Sequence, residues 1–310
     1  MNINEFRQRL KPWMLPIAML AGVLFHNFID AIAFIAPYLI FVMRLITFCK
    51  INPREFRVSP LTRRLLGVQL LGSLAAYFLI LPLSPTLAQG TFICIFCPTA
   101  TAAPVITGML GGSIIQVAAY SIVSNVCVAV LAPILFTYMN PGLDISFFDS
   151  MVIIATRVVP LIILPLFTAL AMGKITPKAH RALATHQGLS FYIWAVSLFI
   201  VVGRAVSFVM AEPASYIPSM CALAALALAA CCAQFYIGRK IGRRFGDKIS
   251  GAQGLGQKNT VLAIWMALTY LEPVTSVAPA AYVAWQNIIN SSQLYFKTRS
   301  ERKLNAPDKR

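Results

Sequence analysis

Ten apolar runs, most of them close to the length of a membrane crossing, constrain this chain more than any other feature. They fall at 13–28, 31–49, 65–83, 86–110, 113–138, 150–171, 188–210, 215–238, 249–271 and 276–296. A bilayer core requires roughly 20 helical residues per crossing, whereas a barrel strand needs about 10 alternating ones, and these runs do not alternate. In lipid each backbone N–H and C=O must be satisfied within its own segment, which leaves helices. The expectation is an all-α membrane protein with ten transmembrane helices.

Composition agrees: 58% of the 310 residues are hydrophobic and 12% charged, against about 25% charged in soluble domains. The net charge of +16 would suggest a nucleic-acid partner only if the basic residues formed a face on a soluble domain. Most cluster at or near the ends of the runs instead: Arg7, Arg9 and Lys11; Arg44, Lys50, Arg54, Arg57, Arg63 and Arg64; Lys174, Lys178 and Arg181; Arg239, Lys240, Arg243, Arg244 and Lys248; and from Lys297 onward. The alternate connections hold Asp30, Asp144, Asp149, Glu212 and Glu272 without Lys or Arg. One-sided basic charge predicts a multi-pass protein of the inner (plasma) membrane with both termini cytoplasmic and no nucleic-acid partner. No small-residue cleavage site follows the first run, so a retained helix is expected there.

Two runs are interrupted. The fourth contains Pro98 and Pro104, each of which deletes a helical donor and crowds the preceding turn. The ninth contains Gly251, Gly254 and Gly256 beside Gln253, Gln257, Lys258, Asn259 and Thr260. Each interruption is fourth in its set of five spans, and an odd set inserts with opposite orientation. That pattern predicts a single unit over 1–310 with two inverted repeats, 12–140 and 148–298, a basic cytoplasmic tail at 299–310, and a transport site where broken helices cross. Kinks that serve only packing are the alternative, because membrane helices are richer in Pro and Gly.

Lys258 is the costliest residue of the ninth run. The nearest acids, Asp247 and Glu272, flank the run at its ends, and intramembrane charges mark substrate or ion sites. A lysine that snorkels to the interface is the bland reading, but the sequence stays apolar for about ten residues beyond Lys258. Arg157 and Arg204 are two further intramembrane cations, and no carboxylate shares their runs. Positive charge without acid argues for an anionic passenger. The 7 cysteines lie in or beside apolar runs, where a thiol packs as a small hydrophobe; Cys94 and Cys97 form a CxxC with no second ligand pair. His26, His180 and His186 have no metal-ligand spacing, and there is no nucleophile elbow or phosphate loop, so neither enzyme, metal nor cofactor is expected.

Residues 97–107 read CPTATAAPVIT, 256–263 read GQKNTVLA and 285–291 read WQNIINS. These resemble the CPGGTASN, GMQNSGLA and WHNISGS motifs of the bile acid:sodium symporter (BASS) family, in the same order and spacing. The resemblance implies a panel of helices one, two, six and seven beside a core in which helices four and nine cross. It also implies sodium-driven carriage (symport) of organic anions such as bile acids and other carboxylates. Carried over by position, the substrate-lining candidates are Thr101, Asn259, Gln286 and Asn287, to which the polar groups at the breaks add Thr99, Lys258 and Thr260. Pro98, Pro104, Gly254, Gly256 and Gln257 form the expected breaks and crossover.

The departures from the family pattern fall on its cation ligands. Ala103 and Pro104 stand where the family has a Ser-Asn pair, Gly254 stands at its shared glutamate, and Lys258 at its glutamine; Gln69 and Ser121 keep ligand-like groups. A hard cation needs several oxygens, so both sodium sites look dismantled, and the Lys258 ammonium has room to occupy the lost cation's space. The expected function is secondary transport of a small or amphipathic organic anion without sodium. An auxin-efflux-like or proton-coupled carrier and a membrane sensor that binds without translocating are the alternatives.

Overall fold

The computed structural model describes residues 13–49, 57–100, 102–140, 146–211 and 213–304. Among these residues the chain is all-helical, with one isolated antiparallel bridge between Thr99 and Lys258. Helices α1 (Met14–Leu24) and α2 (Ala36–Cys49) are joined by short helical turns. They are followed by α3 (Pro60–Ile80), α4 (Pro85–Phe96), α5 (Ala103–Leu110), α6 (Ile114–Met139), α7 (Phe147–Ile175), α8 (Pro177–Thr185) and α9 (Gln187–Ala211). The remaining helices are α10 (Ile217–Arg244), α11 (Lys248–Gly256), α12 (Thr260–Tyr270) and α13 (Val277–Leu304).

Among the described residues four helical stretches, Pro60–Ile80, Ile114–Met139, Gly188–Ala211 and Ala214–Arg244, are long and apolar enough to cross a membrane. The first apolar run is not one continuous helix: α1 has 11 residues and rises about 16 Å, roughly half of a hydrocarbon core. The last helix continues to Leu304, so the expected boundary at 298 falls inside it. Asp144, Glu212, Thr101 and the basic residues before Trp13 lie outside the described residues.

Helix starts follow local sequence. Ser59 and Ser84 each precede a proline and accept from the N–H three residues on, Thr62 and Leu87, so a fixed φ and a side-chain cap coincide. Ser113, Ser146 and Asp247 cap α6, α7 and α11 in the same way. Gly111, at φ +90°, closes α5, and the Gly112 N–H returns to Thr107 O at 2.8 Å, a left-handed ending that glycine enters without strain.

The glycines of the ninth run play another part than the expected one. Gly254 and Gly256 lie inside α11, and the interruption is Gln257-Lys258-Asn259. A Cβ on Gly251 would stand 2.2 Å from Gly238 O, and one on Gly242 would stand 2.3 Å from Asp247 O, so α10 and α11 pack backbone against backbone. A Cβ on Gly256 would meet the Phe235 ring at 2.5 Å. Close packing, not helix breaking, accounts for them. Pro104 likewise does not interrupt a helix but occupies the first turn of α5, where its missing N–H costs nothing; Pro98 lies in the interruption itself.

The two interrupted segments are tied together at their far ends. Thr86 of α4 donates to Glu272 beyond α12, and the Glu272 N–H meets Gln89 Oε1 at 3.2 Å. At the opposite end the Ser113 N–H meets Ser250 Oγ at 2.9 Å. Between these ties, α4, α6 and α12 bury an aromatic cluster in which Phe92 stacks on Phe96 at 4.8 Å and Phe136 on Tyr270 at 5.3 Å.

Candidate functional site

Four short helices end at one place. The Ala100 N–H donates to Gln257 O and the Asn259 N–H to Pro98 O, both at 2.8 Å, so the two interruptions run antiparallel as a minimal β-ladder. The carboxyl ends of α4 and α11 and the amino ends of α5 and α12 therefore converge, two partial negative and two partial positive poles.

Side chains cover the negative poles. Lys258, 1% exposed, reaches Ile95 O with its ammonium at 2.8 Å. Gln69 donates to Phe96 O at 2.7 Å and Cys97 O at 3.1 Å. At the end of α11, Thr99 Oγ1 donates to Gly254 O at 2.7 Å and the Tyr282 hydroxyl to Gly256 O at 2.8 Å. These bonds take up carbonyls that a helix end otherwise leaves unpaired. The positive poles are more open: Ala102 at the start of α5 supplies no side-chain cap, and Asn259 accepts from the Leu262 N–H at 3.3 Å at the start of α12. The two positive poles offset the two negative ones, so the ammonium leaves the crossover with net positive charge.

A cavity of about 70 Å³ adjoins it, lined by Gln257, Lys258, Asn259, Thr260, Gln286 and Asn287 together with Trp194 and Ser197 of α9. Six polar positions singled out in the sequence thus meet on one surface. Gln286, however, spends both ends of its amide on the backbone of Lys258, accepting from N at 2.8 Å and donating to O at 3.2 Å. Its role is to hold the interruption extended. Thr99 turns its hydroxyl away, onto α11. Asn287 gives its NH₂ to Val283 O at 2.7 Å, which leaves its oxygen for the cavity.

The positions expected as sodium-site remnants also gather. Gln69 Oε1 accepts from Tyr120 at 2.6 Å and Ser124 at 2.9 Å, and Ser121 Oγ lies 3.4 Å from Thr99 O. Ala103 and Pro104 form the start of α5. A Cβ on Gly254 would meet Tyr120 at 3.1 Å and Leu65 at 3.2 Å, so no larger side chain enters there without displacing the tyrosine.

Sequence reasoning missed Tyr282, Tyr120 and Ser124. Tyr282 was legible as the first of a polar series continued by Gln286 and Asn290 at helical spacing. Arg44, counted with the basic cluster that follows the second run, is buried inside α2, which ends at Cys49 as that run does. Arg204 is exposed on α9, and the side chain of Arg157 lies outside the described residues. Neither family models nor curated proteins return a match to this chain.

Proposed function

We propose that the chain is a BASS-like secondary carrier: ten transmembrane helices in two inverted repeats, moving a small or amphipathic organic anion without sodium, with Lys258 in place of the cation. The observation that carries this reading is the crossover itself, where a buried ammonium and two helix amino ends lie beside a cavity lined by polar side chains. An anion gains from each of these poles, whereas a cation passenger would require acids.

The apolar half of the passenger has a place as well. A crevice of about 430 Å³ runs between α1 and α9 on one side and α10 and α13 on the other, lined by residues such as Met19, Val206, Met220 and Ala281. Val283 borders both this crevice and the polar cavity. A carboxylate at the crossover with an aliphatic or alicyclic body in the crevice uses both surfaces.

The test is flux of a panel of labelled carboxylates into liposomes holding the purified protein, with and without sodium and with an imposed pH gradient. Saturable uptake independent of sodium supports the reading. Saturable binding with no uptake under any gradient would replace it with a membrane sensor.

A further inference from the structure

Helix α13 carries a buried polar file that the crossover does not use up. Gln286, Asn290, Gln293 and Lys297 follow one another at spacings of three and four, which places them on one side of the helix. Asn287 flanks that side toward the crossover, and Ser291 lies more than a quarter-turn round the helix from it. Gln253 of α11 faces the file, its Nε2 donating to Asn290 Oδ1 at 2.9 Å and Gln293 Oε1 at 3.2 Å. At the far end the Lys297 ammonium reaches Met109 O of α5 at 2.6 Å.

The hydrogen bonds within this file do not close. Gln257 Oε1, Asn287 Oδ1, Gln253 Oε1, Asn290 Nδ2 and Ser291 Oγ are buried without a protein partner. Gln253 and Asn290 are wholly buried, at 0% exposure. A file that served only to bind α11 to α13 would pair its groups with one another, because unpaired buried polar atoms are costly. Consecutive orphans along one path are what a chain of bound water completes.

The path is open at both ends. The 70 Å³ crossover cavity includes Gln257, Lys258 and Asn287, and a few cubic ångströms over ten already hold a water. At the other end Gln293 is half-buried and the Lys297 side chain is 33% exposed, so the file reaches the surface there; the crevice of about 330 Å³ beside Trp13, Ser292 and Phe296 lies across the helix from it.

We infer that this file is a water route from the Lys297 end of α13 to the crossover, through which Lys258 meets solvent. Its use in coupling rests on the carrier reading; the route itself does not, and its test needs no substrate.

Two measurements decide it. The first labels Asn290→Cys with a charged, membrane-impermeant methanethiosulfonate added from each face in turn, in a background carrying Cys221→Ser and Cys232→Ser. Expected is reaction from the Lys297 face at least tenfold faster than for Ile288→Cys on the exposed side of the same helix. Reaction no faster than Ile288→Cys overturns the inference. The second uses the unmodified protein, should the variant fail to fold: X-ray radiolysis in ¹⁸O water. Oxygen incorporation at Val283 and Leu294, several-fold above the buried aliphatic Val128 and Leu223 away from the file, supports the route. Equal incorporation at all four overturns it.

Discussion

The Lys258 ammonium lies 2.8 Å from Ile95 O, in the last turn of the helix that the other interruption terminates. A charge carried by one broken segment thus closes the negative end of its partner. Replacing that charge by a side chain of similar length separates its electrostatic role from its packing role.

Lys258→Met is expected to fold with stability within about 2 kcal/mol of the parent. The stranded carbonyl costs about 1–3 kcal/mol, while removing a buried charge returns a desolvation penalty of several. Flux should nonetheless fall at least tenfold, and Lys258→Arg should recover little, because a planar guanidinium does not fit the place of a compact ammonium. Liposome flux beside thermal unfolding in detergent reads both quantities. Near-normal flux in Lys258→Met would make the lysine a structural cap.

Gly251→Ala should destabilise by roughly 1–3 kcal/mol, the range for overpacking that moves backbone. Its methyl would sit 2.2 Å from Gly238 O, where neither helix has a flexible atom to yield. Gly67→Ala is the control: nothing lies within 4 Å of the added carbon, so a gain of about 0.5–1 kcal/mol from helix propensity is expected. Unfolding midpoints that move alike for the two variants would contradict the packing of α10 on α11.

These two variants mark what was legible in the sequence. Pro98 and the polar cluster at 257–260 located both interruptions, because proline chemistry and buried charge act locally. The roles of Gly251, Gly254 and Gly256 were misread as breaking, since a glycine in a helix carries no mark of whether another backbone touches it. Gln286 was expected at substrate and is found on the Lys258 backbone. Pairing of that kind depends on where α13 passes, and no spacing within α13 reveals it.

Sodium should give no specific stabilisation. The carbonyls at the end of α4 already accept from Lys258 and Gln69, and Ala103 and Gly254 offer no side-chain oxygen, so a hard cation lacks the oxygens it needs. Unfolding midpoints in sodium and in potassium chloride at equal ionic strength are expected to coincide. A saturable shift in sodium alone would show a rebuilt site.

Basic charge on one side predicts that Lys178 and Lys248 share a compartment, the cytoplasm, and that Asp144 and Glu272 face the other. Reporter fusions at these four positions check it. Lys178 and Asp144 reporting from the same side would remove the ten-span arrangement and with it the inverted repeats.

Gln69 should be the most sensitive uncharged residue of the crossover. Wholly buried, it donates to Phe96 O and Cys97 O and accepts from Tyr120 and Ser124. Gln69→Leu strands all four groups in a low-dielectric interior, and at about 1–3 kcal/mol for each group left without a partner the loss should reach roughly 3–5 kcal/mol after local relaxation. Tyr120→Phe removes one donor and leaves Ser124 on the same oxygen, so it should cost about 1 kcal/mol. Thermal unfolding of both variants in one detergent gives the ratio. If Tyr120→Phe proved as damaging as Gln69→Leu, the tyrosine rather than the amide would be what holds the end of α4 in place.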